Sequence, residues 1–291
     1  MNSPGSLPAV KARLEQTLAQ WRQWRCDPIL PGGPHLDCAL DGGLSNHNFL
    51  VGAAGQQYVV RVDGINPNRH GLNRQVEFLA LQSASDAGLA PTPRYFNPEL
   101  AVLVCDYLPP DPIQRPAPAD LASLCRQIHS LPDRHHRLDL PGRVRRYESL
   151  LKRAAKPLPP RGIRQAIEQK LSQSTALNVP ATLCHNDLLP ANLIISDGKL
   201  LALDWEYVAM GNPWFDLAVA CAGQNYNPEQ IDYFLSHYLQ RDPNDNDTKQ
   251  LTLFGVLYRY LELLWHLEQL TADAAAAHLD ANLHLVEREL H

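Results

Sequence analysis

The chain has 291 residues, 45% hydrophobic and 20% charged, and its 26 basic and 31 acidic side chains give a net charge of −5. This composition is typical of a globular protein, and it excludes wholesale disorder, collagen-like repeats and a small disulfide scaffold. No segment approaches ~20 uninterrupted apolar residues, and the first residues lack a signal-peptide pattern. We therefore expect a cytoplasmic protein with no membrane partner, and the acidic balance gives no general reason to bind nucleic acid.

The first third of the chain predicts one helix followed by a sheet. Apolar residues at helical spacing favour a helix over 7–24, and a second helix is expected over 74–87. A cluster of prolines over 109–118 separates this part from the rest. We therefore predict an N-terminal domain over 1–108 and a C-terminal domain over 109–291. The strands of the first domain are predicted at 49–51, 58–62, 94–96 and 102–107.

Helical periodicity dominates the second domain, with one interruption. Two short apolar runs, 193–195 and 200–203, surround Asp197-Gly198. Asp-Gly between two such runs is a strong signal for a β-hairpin. Helices are predicted over 119–130, 163–174, 228–239 and 248–270.

The densest group of polar residues flanks this predicted hairpin. His185, Asp187 and Asn192 precede the first strand, and Asp204 follows the second. A hairpin brings its two ends together, so we expect Asp187, Asn192 and Asp204 to converge. Carboxylate and amide oxygens suit Mg²⁺, and one carboxylate would remain for acid–base work. Each residue alone is typical of a turn, but the joint spacing is that of a phosphoryl-transfer site.

On these residues, together with Asp216-Leu217-Ala218, the chain resembles the aminoglycoside phosphotransferase and choline kinase superfamily from about Asp37 to Trp265. The resemblance implies an α+β, protein-kinase-like, two-lobed fold. Its N-terminal lobe is a small antiparallel sheet with one main helix, and its C-terminal lobe is larger and mostly helical. It also implies ATP as co-substrate and Mg²⁺ as cofactor. Within it, Asp187 is the catalytic base, and His185 is the second catalytic residue of the same loop. Asn192 and Asp204 hold the metal, and Asp216 braces the loop.

The same resemblance implies a nucleotide site in the N-terminal domain. The turn over 41–48 resembles the family's phosphate-covering turn, with Ser45 and Asn46 near the phosphates, although a purely structural turn explains it almost as well. Arg61 stands where kinases carry lysine, with Glu77 as its ion-pair partner. The interlobe hinge, whose backbone would read adenine, corresponds to Cys105, Asp106 and Tyr107.

Acceptor binding is expected in the C-terminal domain. Twelve of the 21 aromatic residues fall between Trp205 and Trp265, and aromatic faces attract quaternary cations. Tyr258, Glu262 and Trp265 share one helix face, although such a stripe is more often part of a core. The segment containing Glu206 and Tyr207 resembles bacterial choline and thiamine kinases, but residues 222–225 lack the glutamate expected there.

The sequence favours a kinase of a small, cationic alcohol such as choline or ethanolamine. Thiamine kinase, aminoglycoside or amino-sugar phosphotransferase and a non-catalytic nucleotide-binding regulator are the alternatives. Between residues 134 and 170 lie eleven basic and three acidic residues, which indicate a solvated helical face or, less simply, a polyanion-binding adaptor. Oligomeric state has no sequence signature here.

Overall fold

The computed structural model describes residues 7–40, 46–64, 71–112 and 115–290. The chain forms two compact units: Met1–Ala117 with Pro190–Val208, and Pro118–Leu189 with Ala209–His291. The first unit is discontinuous because the segment carrying the predicted hairpin belongs to it rather than to the second. The assignment of nucleotide binding to 1–108 and of acceptor binding to 109–291 stays a prediction.

The first unit is built on a five-stranded antiparallel sheet, in which the strands lie side by side in the order 35–40, 46–53, 56–63, 102–106 and 93–97. The predicted strands and helices of this part are confirmed. The strand over 35–40 was not predicted, because its side chains are almost all exposed and carry no apolar alternation. The elements are α1 (Leu7–Ala19), β1 (His35–Leu40), β2 (Asn46–Ala53), β3 (Gln56–Asp63), α2 (Arg74–Asp86), β4 (Pro93–Asn97) and β5 (Val102–Asp106).

Alternation along the central strands places one face of the sheet in a hydrophobic core. Val51, Val60 and Val104 are fully buried there, and α1 contributes Leu14 to the same cluster. Burial of each such side chain stabilises the fold by roughly 1.5–3 kcal/mol relative to an exposed one. The sheet is therefore a firm support for the polar residues at its strand ends.

The predicted hairpin is present as β7 (Leu193–Ser196) and β8 (Lys199–Ala202). Asp197 and Gly198 both adopt positive φ at its turn, a conformation that Gly favours and Asp tolerates. The carboxylate of Asp111 accepts hydrogen bonds from both of their N–H groups, at 3.2 and 2.9 Å. The turn is thus fixed from outside, which sets the direction of both strands.

The second unit is mostly helical. The helices predicted over 119–130, 163–174, 228–239 and 248–270 are confirmed. Three helices were not among the predicted spans: Leu140–Arg153, which its basic residues make polar overall, Pro213–Gln224, and Ala272–Leu290, which begins in an alanine run. Within the described residues no helix is both long and apolar enough to cross a membrane. The elements are α3 (Pro118–Ile128), α4 (Leu140–Arg153), α5 (Arg161–Ala176), β6 (Thr182–Cys184), β9 (Ala209–Gly211), α6 (Pro213–Gln224), α7 (Pro228–Leu239), α8 (Asp245–Gln269) and α9 (Ala272–Leu290).

Candidate active site

The open end of the β7–β8 hairpin brings two predicted metal ligands close in the first unit. The backbone N–H of Leu203 donates to the carbonyl of Asn192 at 2.8 Å, so Asn192 and Asp204 lie at adjoining strand ends. Asp204 has φ +54°, a left-handed conformation that is uncommon for residues other than glycine and recurs at functional sites. Its side chain keeps 32% of its surface exposed. Among the three carboxylates that Arg61 contacts in the described residues, that of Asp204 is thus the most exposed.

The ion pair expected between Arg61 and Glu77 is present in the first unit. Arg61 Nη1 lies 2.5 Å from Glu77 Oε1 and 3.2 Å from Asp204 Oδ1. Arg61 lies on β3, and Glu77 lies on α2, one turn inside its N-terminus. The guanidinium therefore ties the sheet and α2 to the residue that follows the hairpin.

Two further members of this site were missed from the sequence. Arg74 Nε lies 2.6 Å from Asp63 Oδ2, and its Nη1 lies 2.8 Å from Glu77 Oε2 and 3.1 Å from Glu206 Oε2. The signals were weak but present: Asp63 follows Arg61 at strand spacing, and Arg74 precedes Glu77 at helix spacing. We call the whole set the acidic cluster: Asp63, Glu77, Asp204 and Glu206 with Arg61 and Arg74.

The acidic cluster carries more negative than positive charge, because four carboxylates face two guanidiniums. Burial and the nearby charge of Glu206 raise the pKa of Asp204 to about 7. Burial also opposes ionisation of Glu77, but Arg61 and Arg74 together hold the pKa of that carboxyl below its usual range. Burial likewise raises the pKa of Asp63, so the negative charges of Asp204 and Asp63 are disfavoured unless a further cation compensates them. A hard divalent cation fits this donor set, since oxygen ligands and excess negative charge are what Mg²⁺ selects.

The other predicted nucleotide residues occupy the same unit. Ser45 lies outside the described residues. Asn46 is buried opposite Asp63 on the neighbouring strand, and its Nδ2 donates to Glu206 Oε2 at 2.9 Å. Asn46 therefore supports the acidic cluster, and its predicted contact with phosphate stays a prediction.

At the predicted hinge, the side chains and the backbone N–H groups are largely engaged. Burial raises the pKa of the Cys105 thiol to about 12, so it stays protonated. Arg94 grips both carboxylate oxygens of Asp106 at 2.6 Å. The N–H groups of Asp106 and Tyr107 donate to the carbonyls of Thr92 and Gln57. If these residues read a base edge, they do so through their carbonyl oxygens.

The second unit holds the loop that carries the predicted base. The backbone N–H groups of His185 and Asn186 each donate to the Asp216 carboxylate at 2.8 Å. Asp216 lies in the first turn of α6 and is fully buried, and His129 Nε2 approaches the same carboxylate at 3.0 Å. Burial opposes ionisation of Asp216, but these donors hold its pKa below the usual range. Asp216 thus has the contacts expected of a brace.

Asp187 follows directly on the braced residues. Asn186 adopts φ +65°, and the N–H of Leu189 donates to the Asp187 carbonyl at 2.8 Å. His185 is completely buried, and its predicted catalytic role stays a prediction. Asp187 belongs to the second unit, and Asn192 and Asp204 belong to the first. Their predicted convergence and the roles assigned to them stay predictions.

The predicted acceptor residues divide between the two units. Glu206 and Tyr207 belong to the first, and the Glu206 carboxylate is already engaged by Asn46 and Arg74. Tyr258, Glu262 and Trp265 lie on α8 in the second. There the buried Tyr258 donates its hydroxyl to Glu262 Oε1 at 2.8 Å. Substrate contacts for this set stay predictions.

Three features of the structure define a kinase-like phosphotransferase fold. They are an antiparallel sheet with an ion-paired helix, a hairpin that ends in residues suited to metal binding, and a loop braced by a buried aspartate. A family model described as the phosphotransferase enzyme family matches residues 38–254. The chain belongs to this family, and it is a kinase.

Relatives and solved structures agree with this placement. Protein LicA of Haemophilus influenzae is 25% identical over 268 residues, covering 84% of this chain and 78% of that protein. Choline kinase LicA from Streptococcus pneumoniae superposes with a TM-score of 0.71 at 24% identity, covering 87% of this chain and 94% of that one. A choline/ethanolamine kinase family protein from Mesorhizobium loti gives 0.73 at 21% identity, covering 96% and 95%. The two structural similarities confirm the protein-kinase-like fold.

Proposed function

We propose that this chain is an ATP- and Mg²⁺-dependent kinase that phosphorylates the hydroxyl of a small cationic alcohol of the choline or ethanolamine type. The observation that carries the proposal is the acidic cluster, in which four carboxylates face two guanidiniums and the pKa of the partly exposed Asp204 is raised. A divalent cation would compensate the net negative charge of this cluster, and a kinase needs such a cation on its nucleotide phosphates.

In this proposal Asn192 and Asp204 hold Mg²⁺, which neutralises phosphate charge when it is bound. Asp187 accepts the proton of the acceptor hydroxyl as its oxygen bonds to the γ-phosphorus and the bond to the ADP oxygen breaks. Asp216 keeps the preceding backbone in place through its two N–H contacts. Arg61 holds Glu77 and Asp204, so that α2 and the residue after the hairpin are positioned together.

The cationic acceptor is supported by the relatives and by composition. Two of the solved structures with similar folds are named as a choline kinase and as a choline/ethanolamine kinase family protein. A LicA structure with a similar fold was solved in complex with AMP, which supports an adenine nucleotide as phosphate donor. Aromatic residues are concentrated in α6 to α8, and ring faces attract quaternary ammonium groups, but Phe215, Phe254 and Tyr260 among them are buried in the core.

Thiamine also joins a primary alcohol to a fixed positive charge, so the same features support it as the second candidate. The segment 222–225 argues against choline as the only candidate, because it carries the buried amide of Gln224 where a carboxylate was expected. The chain therefore has to be tested on both alcohols.

The test is ADP release by purified protein with Mg²⁺-ATP and a panel of choline, ethanolamine, thiamine, kanamycin, an amino sugar and homoserine. We expect turnover stimulated by a cationic alcohol, with the phosphate on its hydroxyl by ³¹P NMR, and dependence on Mg²⁺. Stimulation by kanamycin alone would replace the proposed acceptor with an aminoglycoside. Nucleotide binding with no stimulation by any acceptor would favour the regulator.

A further inference from the structure

The predicted cation-binding face of α8 already holds a cation of the protein's own. Arg259 Nη1 donates to Glu262 Oε2 at 3.0 Å, while Tyr258 donates to the other oxygen of that carboxylate. The same guanidinium carbon lies 5.7 Å from the centre of the Tyr258 ring. A ring face and a carboxylate together are the features that recognise an ammonium group, and here Arg259 occupies both.

A second acidic side chain, that of Glu289, lies near the Arg259 guanidinium. Arg259 Nε lies 3.6 Å from Glu289 Oε1 on α9. Two carboxylates therefore face one guanidinium, which leaves an excess of negative charge if both are ionised. The side chains of Arg259 and Glu262 stay 24% and 31% exposed, so the pair is open to exchange.

A cavity of about 190 Å³ opens beside this pair between α8 and α9. Arg259 and Glu262 line it, with His266 and His278 further along and Val286 among the apolar residues. Burial holds the pKa of His266 below its usual range, so that ring adds no positive charge at neutral pH. A cavity of this size takes a small organic group next to the carboxylate.

The electrostatic surroundings connect this place with the predicted base. Burial raises the pKa of Tyr258 above its usual range, and the charges of Glu262 and Asp187 raise it further. The pKa of Tyr258 is thus raised by two carboxylates: that of Glu262, which it contacts, and that of Asp187, which is proposed to accept the hydroxyl proton. Both belong to the second unit.

We propose that Arg259 is a specificity-determining residue: its guanidinium occupies the Tyr258 ring face and the Glu262 carboxylate, so a cationic acceptor binds there only in competition with it. The inference rests on the proposed function for its link to turnover. It assigns to the chain a built-in competitor that weakens binding of ammonium groups. Acceptors whose cation cannot displace a guanidinium are thereby rejected.

The experiment compares wild type, Arg259→Gln and Arg259→Lys by titration with tetramethylammonium chloride, followed by calorimetry, and by acceptor kinetics with choline. We expect Arg259→Gln to bind tetramethylammonium roughly three- to tenfold more tightly, the range that one ring contact supplies. The KM for choline falls by a similar factor, while the KM for ATP is unchanged. Arg259→Lys, which keeps the charge, shows a smaller gain.

Two controls separate competition from loosening of the helices. Glu289→Gln breaks the tie between α8 and α9 but leaves the guanidinium beside Glu262, so it should not reproduce the gain. Adding Glu262→Gln to Arg259→Gln should abolish the gain. Equal or weaker tetramethylammonium binding in Arg259→Gln overturns the inference, as does an equal gain in Glu289→Gln. Absence of turnover by wild type with every acceptor counts against the proposed function alone, because the titration does not depend on activity.

Discussion

The carboxylates of the two units differ in how well hydrogen-bond donors and positive charges compensate them. In the second unit Asp216 meets two backbone N–H groups and a histidine, and its pKa is held low. In the first unit four carboxylates share two guanidiniums, and the pKa of Asp204 is raised to about 7. A carboxylate with enough donors stays ionised as part of the structure, whereas the charge of a carboxylate in an under-compensated cluster is disfavoured until a cation binds beside it.

The largest effect is expected at Asp187, the proposed base, whose loop is braced by Asp216. Asp187→Asn should lower kcat by about a thousandfold, within the range that a general base contributes. ADP release measured with saturating substrates checks it. Asp280→Asn, at an exposed aspartate of α9, should leave kcat unchanged. Retention of a tenth or more of wild-type activity by Asp187→Asn would remove the base from the mechanism.

The next largest effect tests the guanidiniums of the acidic cluster. Arg74→Gln leaves Asp63 and Glu77 sharing Arg61 and removes the guanidinium that Glu206 contacts. Loss of a buried ion-pair partner costs about 3–5 kcal/mol of unfolding free energy. Urea unfolding followed by circular dichroism measures it. Arg241→Gln, which breaks an ion pair with Asp247 at a half-exposed arginine, should cost far less. Equal losses in the two variants would mean that the cluster is not the special feature.

The brace predicts a loss with a distinct pH dependence. Asp216→Asn removes a charged acceptor of three contacts, at a cost of about 1–3 kcal/mol. Since the pKa of Asp216 is lowered in the fold, its contribution is complete above the unfolded value of ~3.9 and disappears as pH falls through the folded value. The difference between wild type and variant should therefore be constant from pH 5 to 8 and shrink below about pH 4. A difference that grows on acidification would contradict the brace.

A pH dependence of the opposite sign is expected at Asp204. Its folded pKa of about 7 lies above the unfolded value, so the folded protein binds a proton that the unfolded chain releases. Wild type should lose stability as pH rises from 5 to 8, and Asp204→Asn should lose less. Thermal unfolding across that range, without divalent cations, measures the slopes. Parallel slopes would show that the charge of Asp204 is compensated.

The same contrast explains what the sequence could predict. The hairpin was predictable because Asp197-Gly198 specifies its turn, and α7 was predictable because Asn227 and Pro228 mark a helix start, with the Asn227 side chain closing a capping box in the structure. Such signals act over a few residues. They do not depend on the rest of the fold.

The charge balance of the sites could not be predicted in this way. Arg74 meets Glu206 across 132 positions of sequence, and His129 meets Asp216 across 87. Arg259 stands next to Tyr258 and three residues before Glu262, yet only the side-chain conformations show that it contacts both the ring and the carboxylate. Local spacing located the chemical groups, and packing determined which of them were already satisfied.

Binding of Mn²⁺ tests most directly whether Asn192 and Asp204 hold the metal ion of the bound nucleotide. Titration in the presence of a non-hydrolysable ATP analogue, followed by electron paramagnetic resonance, measures it in wild type and variants. We predict one tight site in wild type and in Asp187→Asn, weakened at least about tenfold in Asp204→Asn and Asn192→Ala, since loss of a metal-site residue typically costs that much or more. Wild-type affinity in Asp204→Asn would contradict the account.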